Sequence, residues 1–238
     1  MAANTSSQNA DWVRELLKES SLTLLGFADL SQLPPGPRRG FPYGISLAMA
    51  LTVFPSPTDT PSPEYYGEYG RVSAELRQAS GFLAAQIEKR GFSAYSLAGQ
   101  RQNEDFTTPL PLKTLATRAG LGWIGKSATL VTPEYGNAIR LGGVLTDMPL
   151  AVGGPIGESR CGDCTECAKN CPGNAIMGRN WSPSADRDLL LNAPSCKAAV
   201  IKRGGLLGGV TEGSCGVCLA VCPWTKAYIS RLHRDRAQ

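Results

Sequence analysis

An α/β layered domain over residues 1–150, followed by a small cysteine-rich module over 151–238, is the architecture this sequence predicts, a mixed chain of the α/β or α+β class. Three observations predict it. Helical and strand-like apolar patterns alternate through the first 150 residues. All eight cysteines, Cys161, Cys164, Cys167, Cys171, Cys196, Cys215, Cys218 and Cys222, fall after residue 160. The composition, 42% hydrophobic and 18% charged over 238 residues, is that of a globular chain with room for one large and one small domain.

Asp11 is placed to cap a helix running to about Ser20, whose apolar face carries Trp12, Val13, Leu16 and Leu17. ISLAMALTVF, residues 45–54, is a short apolar run closed by Pro55 and reads as a buried strand. PSPTDTPSP, 55–63, is a proline-rich loop. Val72, Leu76, Ala79, Leu83 and Ile87 recur at intervals of four and three, which predicts a long helix stopping at Gly91. A helix-like segment, KTLATRAG, comes next. ATLVT at 128–132 and AIRLGGVLT at 138–146 then read as two strands joined by the turn PEYG.

Between them lies AGLGWIGKS, 119–127, in which Gly120, Gly125, Lys126 and Ser127 satisfy the phosphate-loop pattern. Such a loop follows a buried strand and opens a helix. Here a helix-like segment precedes the glycines and a β-rich one follows, so the context is inverted. Glycines that let the backbone approach a neighbour closely are the better reading.

The formal net charge of +4 is mild. Its basic residues are dispersed apart from the tail RLHRDR, 231–236, read as a solvated terminus rather than a nucleic-acid grip. MAANTSSQNADWVRELLKES has no basic segment followed by an apolar one, and no stretch approaches the length of a membrane span. A cytoplasmic protein without membrane contact is the expectation, and a reducing interior suits free thiolates.

CGDCTECAKNCP, 161–172, carries the chemistry. Disulfides serve small secreted chains that cannot build a core, which this chain can. Zinc knuckles use paired C-x-x-C, but C-x-x-C-x-x-C-x-x-x-C-P is the run of iron–sulfur ferredoxins. A second, degenerate copy ends at Cys222-Pro223, with Cys218 and Cys215 at the matching positions and Glu212 where a further cysteine would stand. Cys196 is free to supply that missing thiolate. By analogy with two-cluster ferredoxins, which cross-wire their runs, Cys161, Cys164, Cys167 and Cys222 hold one [4Fe-4S] cluster. Cys171, Cys196, Cys215 and Cys218 hold the other.

TRAGLGWIGKSATLVTPEYGNAIRLGGVLTDMPL, 117–150, with the two cysteine runs and the ending CLAVCPW, 218–224, resembles the epoxyqueuosine reductase family and its relatives, the reductive dehalogenases. The similarity extends in order over residues 11 to 230. It implies a nitroreductase-like or cobalamin-trafficking-like α/β domain joined to a two-cluster ferredoxin-like module, with base-off cobalamin held between them. A flavin is the alternative, since nitroreductase-like folds hold flavins too. The one histidine, His233, fits a corrinoid bound without an imidazole ligand.

The resemblance further implies an external electron donor such as ferredoxin or flavodoxin, and a small-molecule or modified-nucleoside substrate. It places Thr107, Thr108, Gly122, Trp123, Gly125, Lys126, Lys197, Gly216 and Val217 beside the corrinoid. One position departs from the family. Where epoxyqueuosine reductases carry a proton-donating aspartate in D-[ST]-[AG]-P, this chain has Phe106-Thr107-Thr108-Pro109. Asp105, one residue upstream, is the remaining candidate acid, although one step along an extended chain turns a side chain to the opposite side. The chain also ends soon after the second run, without the helical-repeat extension of many relatives. Both departures count against transfer RNA as substrate. Three readings result: a corrinoid-dependent reductase of unidentified substrate, an electron-transfer or activating protein, and a shortened epoxyqueuosine reductase.

Overall fold

The computed structural model describes residues 2–58, 63–100, 102–205 and 215–236. The chain forms two compact units that interleave in sequence instead of dividing at residue 150. The first comprises Met1–Ala50, Val72–Leu121 and Arg140–Ile156; the second comprises Leu51–Arg71, Gly122–Ile139 and Gly157–Gln238.

The first unit is built on four strands, β1 (Leu24–Asp29), β2 (Tyr43–Ala50), β3 (Ala94–Ser96) and β6 (Ile139–Thr146), which form one sheet in the order β1-β2-β6-β3. β1 pairs antiparallel with β2, Leu24 opposite Ala48, and β3 antiparallel with β6, Ala94 opposite Thr146. Two adjacent glycines in β6 explain why helices cover both faces. A methyl group on Gly142 would stand 2.8 Å from Ser80 Oγ and 3.3 Å from Leu76 O, so α2 (Pro63–Lys89) lies against this face. On Gly143 it would meet Leu115 and Leu112 of α3 (Leu112–Arg118) at 2.6 and 3.2 Å on the other. Successive strand residues face opposite sides, so one pair of small residues admits a helix to each.

The apolar stripe of α2 forms as its spacing requires: Val72, Leu76, Leu83 and Ile87 are fully buried, each contributing about 1.5–3 kcal/mol. Gly91, at φ +85°, ends the segment, a conformation that favours glycine. On the α3 side the core joins Ala28, Leu30, Leu97, Leu110, Leu115 and Leu145.

Several elements differ from expectation. α1 runs from Ala2 to Leu17, so Asp11 lies inside the helix and pairs with Arg14 instead of capping it. Long-range bonds hold the added turns: Asn9 Nδ2 donates to Pro149 O at 3.0 Å, and Ala151 N to Ser6 O. β1 has no counterpart among the elements expected from the sequence. The run 45–54 is extended only to Ala50; beyond it the N–H groups of Thr52 and Val53 donate to the buried carboxylate of Glu68. ATLVT and AIRLGGVLT do not pair as a hairpin. β5 (Leu130–Val131) instead pairs antiparallel with β4 (Trp123–Ile124), which comes from the glycine loop itself.

The second unit consists of this small hairpin with α4 (Glu166–Lys169), α5 (Ala193–Gly205), α6 (Val217–Ala220) and α7 (Pro223–Arg236). Among the described residues no helix is long and apolar enough to cross a membrane.

Candidate iron–sulfur centre

Each cysteine run folds as a tight turn leading into a single helical turn. Cys164 N donates to Cys161 O, Cys167 sits within α4, and Ala175 N donates to Cys171 Sγ at 3.3 Å. In the second run Gly216, at φ +72°, opens α6 with Cys218 inside it. Pro223 directly follows Cys222 and is the first residue of α7, where its missing N–H is no loss. α4 packs against α6, so the two runs lie together. α5 closes on the turn after Cys171: a methyl group on Gly173 would stand 2.7 Å from Ser195 O and 3.0 Å from Ala199 Cβ. That contact carries Cys196 toward the same place.

The thiols fall into two neighbourhoods. Burial, followed by the thiols of Cys161, Cys222 and Cys164, pushes Cys167 up to about 11. Burial, followed by Cys215 and Cys171, pushes Cys196 up to about 11. Cys218 is driven up by burial and then chiefly by Cys215 and Cys196. Burial raises Cys215, against the pull of the Val217 N–H and the Arg203 guanidinium. Cys222 is raised by burial too, and the N–H groups of Thr225 and Trp224 oppose the rise. Four crowded thiols resist ionising together; a bound metal centre supplies the positive charge that makes them thiolates.

The first neighbourhood surrounds a cavity of about 100 Å³ lined by Cys161, Cys164, Cys167, Cys222 and Cys218, with Trp224 and the hairpin residues Gly125, Lys126, Ser127 and Val131. On the same measure one water takes roughly 10–15 Å³, so the space suits a polynuclear group better than one ion. Among the described residues no three His, Cys, Asp or Glu side chains converge on a single-ion site. No disulfide joins any of the eight cysteines. The donor set and the space both fit an iron–sulfur cluster.

The glycine loop is part of this wall. A methyl group on Gly125 would stand 2.8 Å from Val131 Cγ2 and 3.5 Å from Cys161 Sγ; one on Gly122 would stand 2.1 Å from Val131 O. The neighbour that demands glycine at 122 and 125 is therefore Val131 of the loop's own hairpin partner, with the Cys161 sulfur in ordinary contact. No helix follows Lys126, which removes the phosphate-loop reading.

Trp123 is fully buried, edge to face with Trp224 at 5.0 Å. Behind the hairpin Asn137 ties the second run to it: its N–H donates to Thr225 Oγ1 at 3.1 Å, Thr225 Oγ1 donates to its Oδ1 at 2.7 Å, and its Nδ2 donates to Cys218 O at 3.4 Å and to Thr129 Oγ1 of the hairpin turn at 3.1 Å. Sequence reasoning missed Asn137, Thr225 and Trp224. Trp224 alone had a signal, its place after Cys222-Pro223.

Of the other candidates, Gly216 and Val217 are buried at the start of α6 and Lys197 is half-buried in α5. Gly216 lies against Pro55, whose Cγ would be 2.5 Å from an added methyl. Thr107 and Thr108 belong to the first unit. There the Asp105 carboxylate accepts Thr107 N–H at 2.9 Å and Thr107 Oγ1–H at 2.6 Å, closing an exposed Asx turn. Phe106 is half-buried at φ +64°. Glu212 lies outside the described residues.

Residues 160–225 match the family described as 4Fe-4S double cluster binding domain. By sequence the chain resembles epoxyqueuosine reductases. It is 29% identical over 198 residues to the enzyme of Vibrio cholerae serotype O1, covering 82% of this chain and 52% of that protein. To the enzyme of Salmonella typhimurium it is 28% identical over 197 residues, covering 82% and 50%. This epoxyqueuosine reductase-like chain thus spans about half the length of the curated relatives it matches.

Solved structures share its mixed α/β fold. A crystal structure of an epoxyqueuosine reductase matches with TM-score 0.58 and 21% identity over 93% of this chain and 66% of the other. A catabolic reductive dehalogenase in complex with 3-bromo-4-hydroxybenzoic acid matches with TM-score 0.66 and 18% identity over 98% and 36%.

Proposed function

We propose that this protein is an oxidoreductase that passes electrons through two [4Fe-4S] clusters to a corrinoid acting on a substrate still to be identified. One observation carries the reading: of the two second-run thiols that line the cavity with Cys161, Cys164 and Cys167, Cys222 lies beside Cys161 and Cys167, whereas Cys218 lies chiefly beside Cys215 and Cys196. In this proposal those four hold one cluster, and Cys171, Cys196, Cys215 and Cys218 hold the other. When bound, the clusters supply one-electron transfer and the corrinoid a reducing cobalt centre. The chain's own work is to bury the thiols, direct N–H groups of Trp224, Thr225 and Val217 at them, and keep the cavity dry with Trp224 and Val131.

The corrinoid enters on resemblance, supported by a reductive dehalogenase relative described as B12-dependent. Thr107, Thr108, Gly122, Trp123, Gly125, Lys126, Lys197, Gly216 and Val217 remain its proposed neighbours. The first unit's nitroreductase-like or cobalamin-trafficking-like character, and an external ferredoxin or flavodoxin as donor, belong to the same proposal. The test is anaerobic purification with cobalamin supplied. About eight irons per chain, as two four-thiolate sets require, and a corrin spectrum shifted to the base-off form are expected. Stoichiometric zinc without iron would overturn the cluster assignment, and an unshifted corrin spectrum the corrinoid assignment.

A second reading, reduction of epoxyqueuosine in transfer RNA, is favoured by the names of the curated relatives and by a solved relative bound to an epoxyqueuosine-modified stem loop. Against it stands Phe106 at the aligned donor position, with Asp105 turned onto Thr107. A positioned general acid contributes roughly a hundred- to ten-thousand-fold. Turnover of epoxyqueuosine by the natural protein, abolished in Asp105→Asn, would establish this second reading. Absent turnover that appears in Phe106→Asp would assign the lost activity to the missing acid.

A further inference from the structure

Among the described residues only two lysine or arginine side chains are buried, Lys126 at 5% exposure and Arg203 at 6%. Both stand at the thiols. Arg203 lies on α5 seven positions after Cys196, two turns along the same helical face, near Cys215. Lys126 lines the cavity shared by Cys161, Cys164, Cys167 and Cys222, next to Gly125 at the Cys161 sulfur.

Among the described residues the surroundings of Lys126 show no protein counter-charge. No carboxylate among the described residues lines the cavity, and no hydrogen bond or ion pair joins the Lys126 side chain to any of them. Confining an ammonium group to a small, largely apolar cavity, with most of its surrounding water removed, is costly unless an opposite charge stands near it. The one concentration of negative charge this cavity can hold is a thiolate-ligated cluster, whose four cysteine sulfurs outweigh the charge of the iron–sulfide core.

We propose that Lys126 is the buried counter-cation of the cluster held by Cys161, Cys164, Cys167 and Cys222, and that it raises the reduction potential of that cluster above the value a neutral wall would give. Reduction brings one electron from the external donor and adds one negative charge to the cluster, with no bond made or broken. A fixed cation stabilises the reduced form more than the oxidised one. Buried, its field is weakly screened by salt, unlike that of a surface lysine. The inference rests on the cluster reading above.

The experiment is an anaerobic redox titration of the reconstituted protein, with electron paramagnetic resonance following each cluster and iron and sulfide counted in every sample. Wild type is compared with Lys126→Met, Lys126→Gln and Lys126→Arg, and with Lys169→Met, which removes an exposed lysine of α4 close to the same cysteines. In the two neutral variants one cluster should need a more negative potential for half-reduction while the other keeps its midpoint. Lys126→Arg should restore the wild-type value, and Lys169→Met should move it much less. Loss of one cluster from both neutral variants, with retention in Lys126→Arg, would carry the same conclusion, since arginine preserves the charge. Unchanged midpoints in a neutral variant that keeps both clusters would overturn the proposal. So would loss of the cluster from all three Lys126 variants, which would assign the residue to packing. Wild-type protein that takes up no iron would overturn the cluster reading itself.

Discussion

Thr225→Val breaks a buried side-chain link that joins the second cysteine run to the hairpin behind it. Thr225 is completely buried, and its hydroxyl both donates to Asn137 Oδ1 at 2.7 Å and accepts from Asn137 N at 3.1 Å. Asn137 Nδ2 meanwhile donates to Thr129 Oγ1 at 3.1 Å and to Cys218 O at 3.4 Å. Valine matches the shape of threonine but removes the hydroxyl, leaving a buried N–H and a buried amide oxygen unpaired. At about 1–3 kcal/mol for each of the two orphaned groups, the expected loss is about 2–6 kcal/mol, a large part of the 5–15 kcal/mol typical of a folded domain. Thr225→Ser keeps the hydroxyl and loses one methyl group, for about 1 kcal/mol. The assay is anaerobic urea unfolding of the cluster-loaded protein, followed by far-ultraviolet circular dichroism and by cluster absorption. Both signals should move to lower urea together in Thr225→Val, because ligation and folding of this unit are linked. A Thr225→Val protein within about 0.5 kcal/mol of Thr225→Ser would refute the reasoning.

Gly122→Ala would drive a methyl group to 2.1 Å from Val131 O, so the β4–β5 hairpin must part, at about 3 kcal/mol in thermal or urea unfolding. Gly81→Ala should act in the opposite direction, since Gly81 lies inside α2 with nothing within 4 Å of an added methyl, and a rise of about 0.5–1 kcal/mol is expected from helix propensity. Cys222→Ser should lower iron from about eight to about four atoms per chain; loss of the cluster at Cys215 and Cys218 in its place would reverse the assignment of the two sets. The backbone N–H of Ser31, bonded at 2.8 Å, holds the Asp29 carboxyl below its ordinary value of 3.8. Its contribution to stability is therefore present above that value and lost as pH falls through the lower folded value. The stability difference between wild type and Asp29→Asn should shrink from pH 5 to pH 2, and a pH-independent difference would contradict it.

Features written in short-range spacing are legible in the amino-acid order alone. The period of Val72, Leu76, Leu83 and Ile87 defines one face of a helix whatever it later packs on, and Gly91 marks its end. The cysteine run is legible for the same reason, since ligand spacing within one turn is a local property of the chain. The inverted surroundings of AGLGWIGKS are enough to set aside a phosphate loop, although they do not disclose what the glycines approach. Asn137 and Thr225 carry no such signal: an asparagine and a threonine 88 positions apart become partners only when the chain returns.

By itself, then, the sequence determined the cluster chemistry, the long helix and the mixed α/β class, because spacing and periodicity are set within a few residues. Tertiary structure alone decided that α1 begins at Ala2, where Ser6 and Asn9 meet Ala151 and Pro149. It decided that β5 pairs with Trp123–Ile124 and not with the strand after PEYG, and that one helix lies on each face of the sheet at Gly142 and Gly143. It also buried Lys126 in a cavity lined by five cysteines. Each of these depends on which distant segment fills the facing space. Pairing, register and burial are properties of two segments together, and a pattern confined to one segment does not carry them.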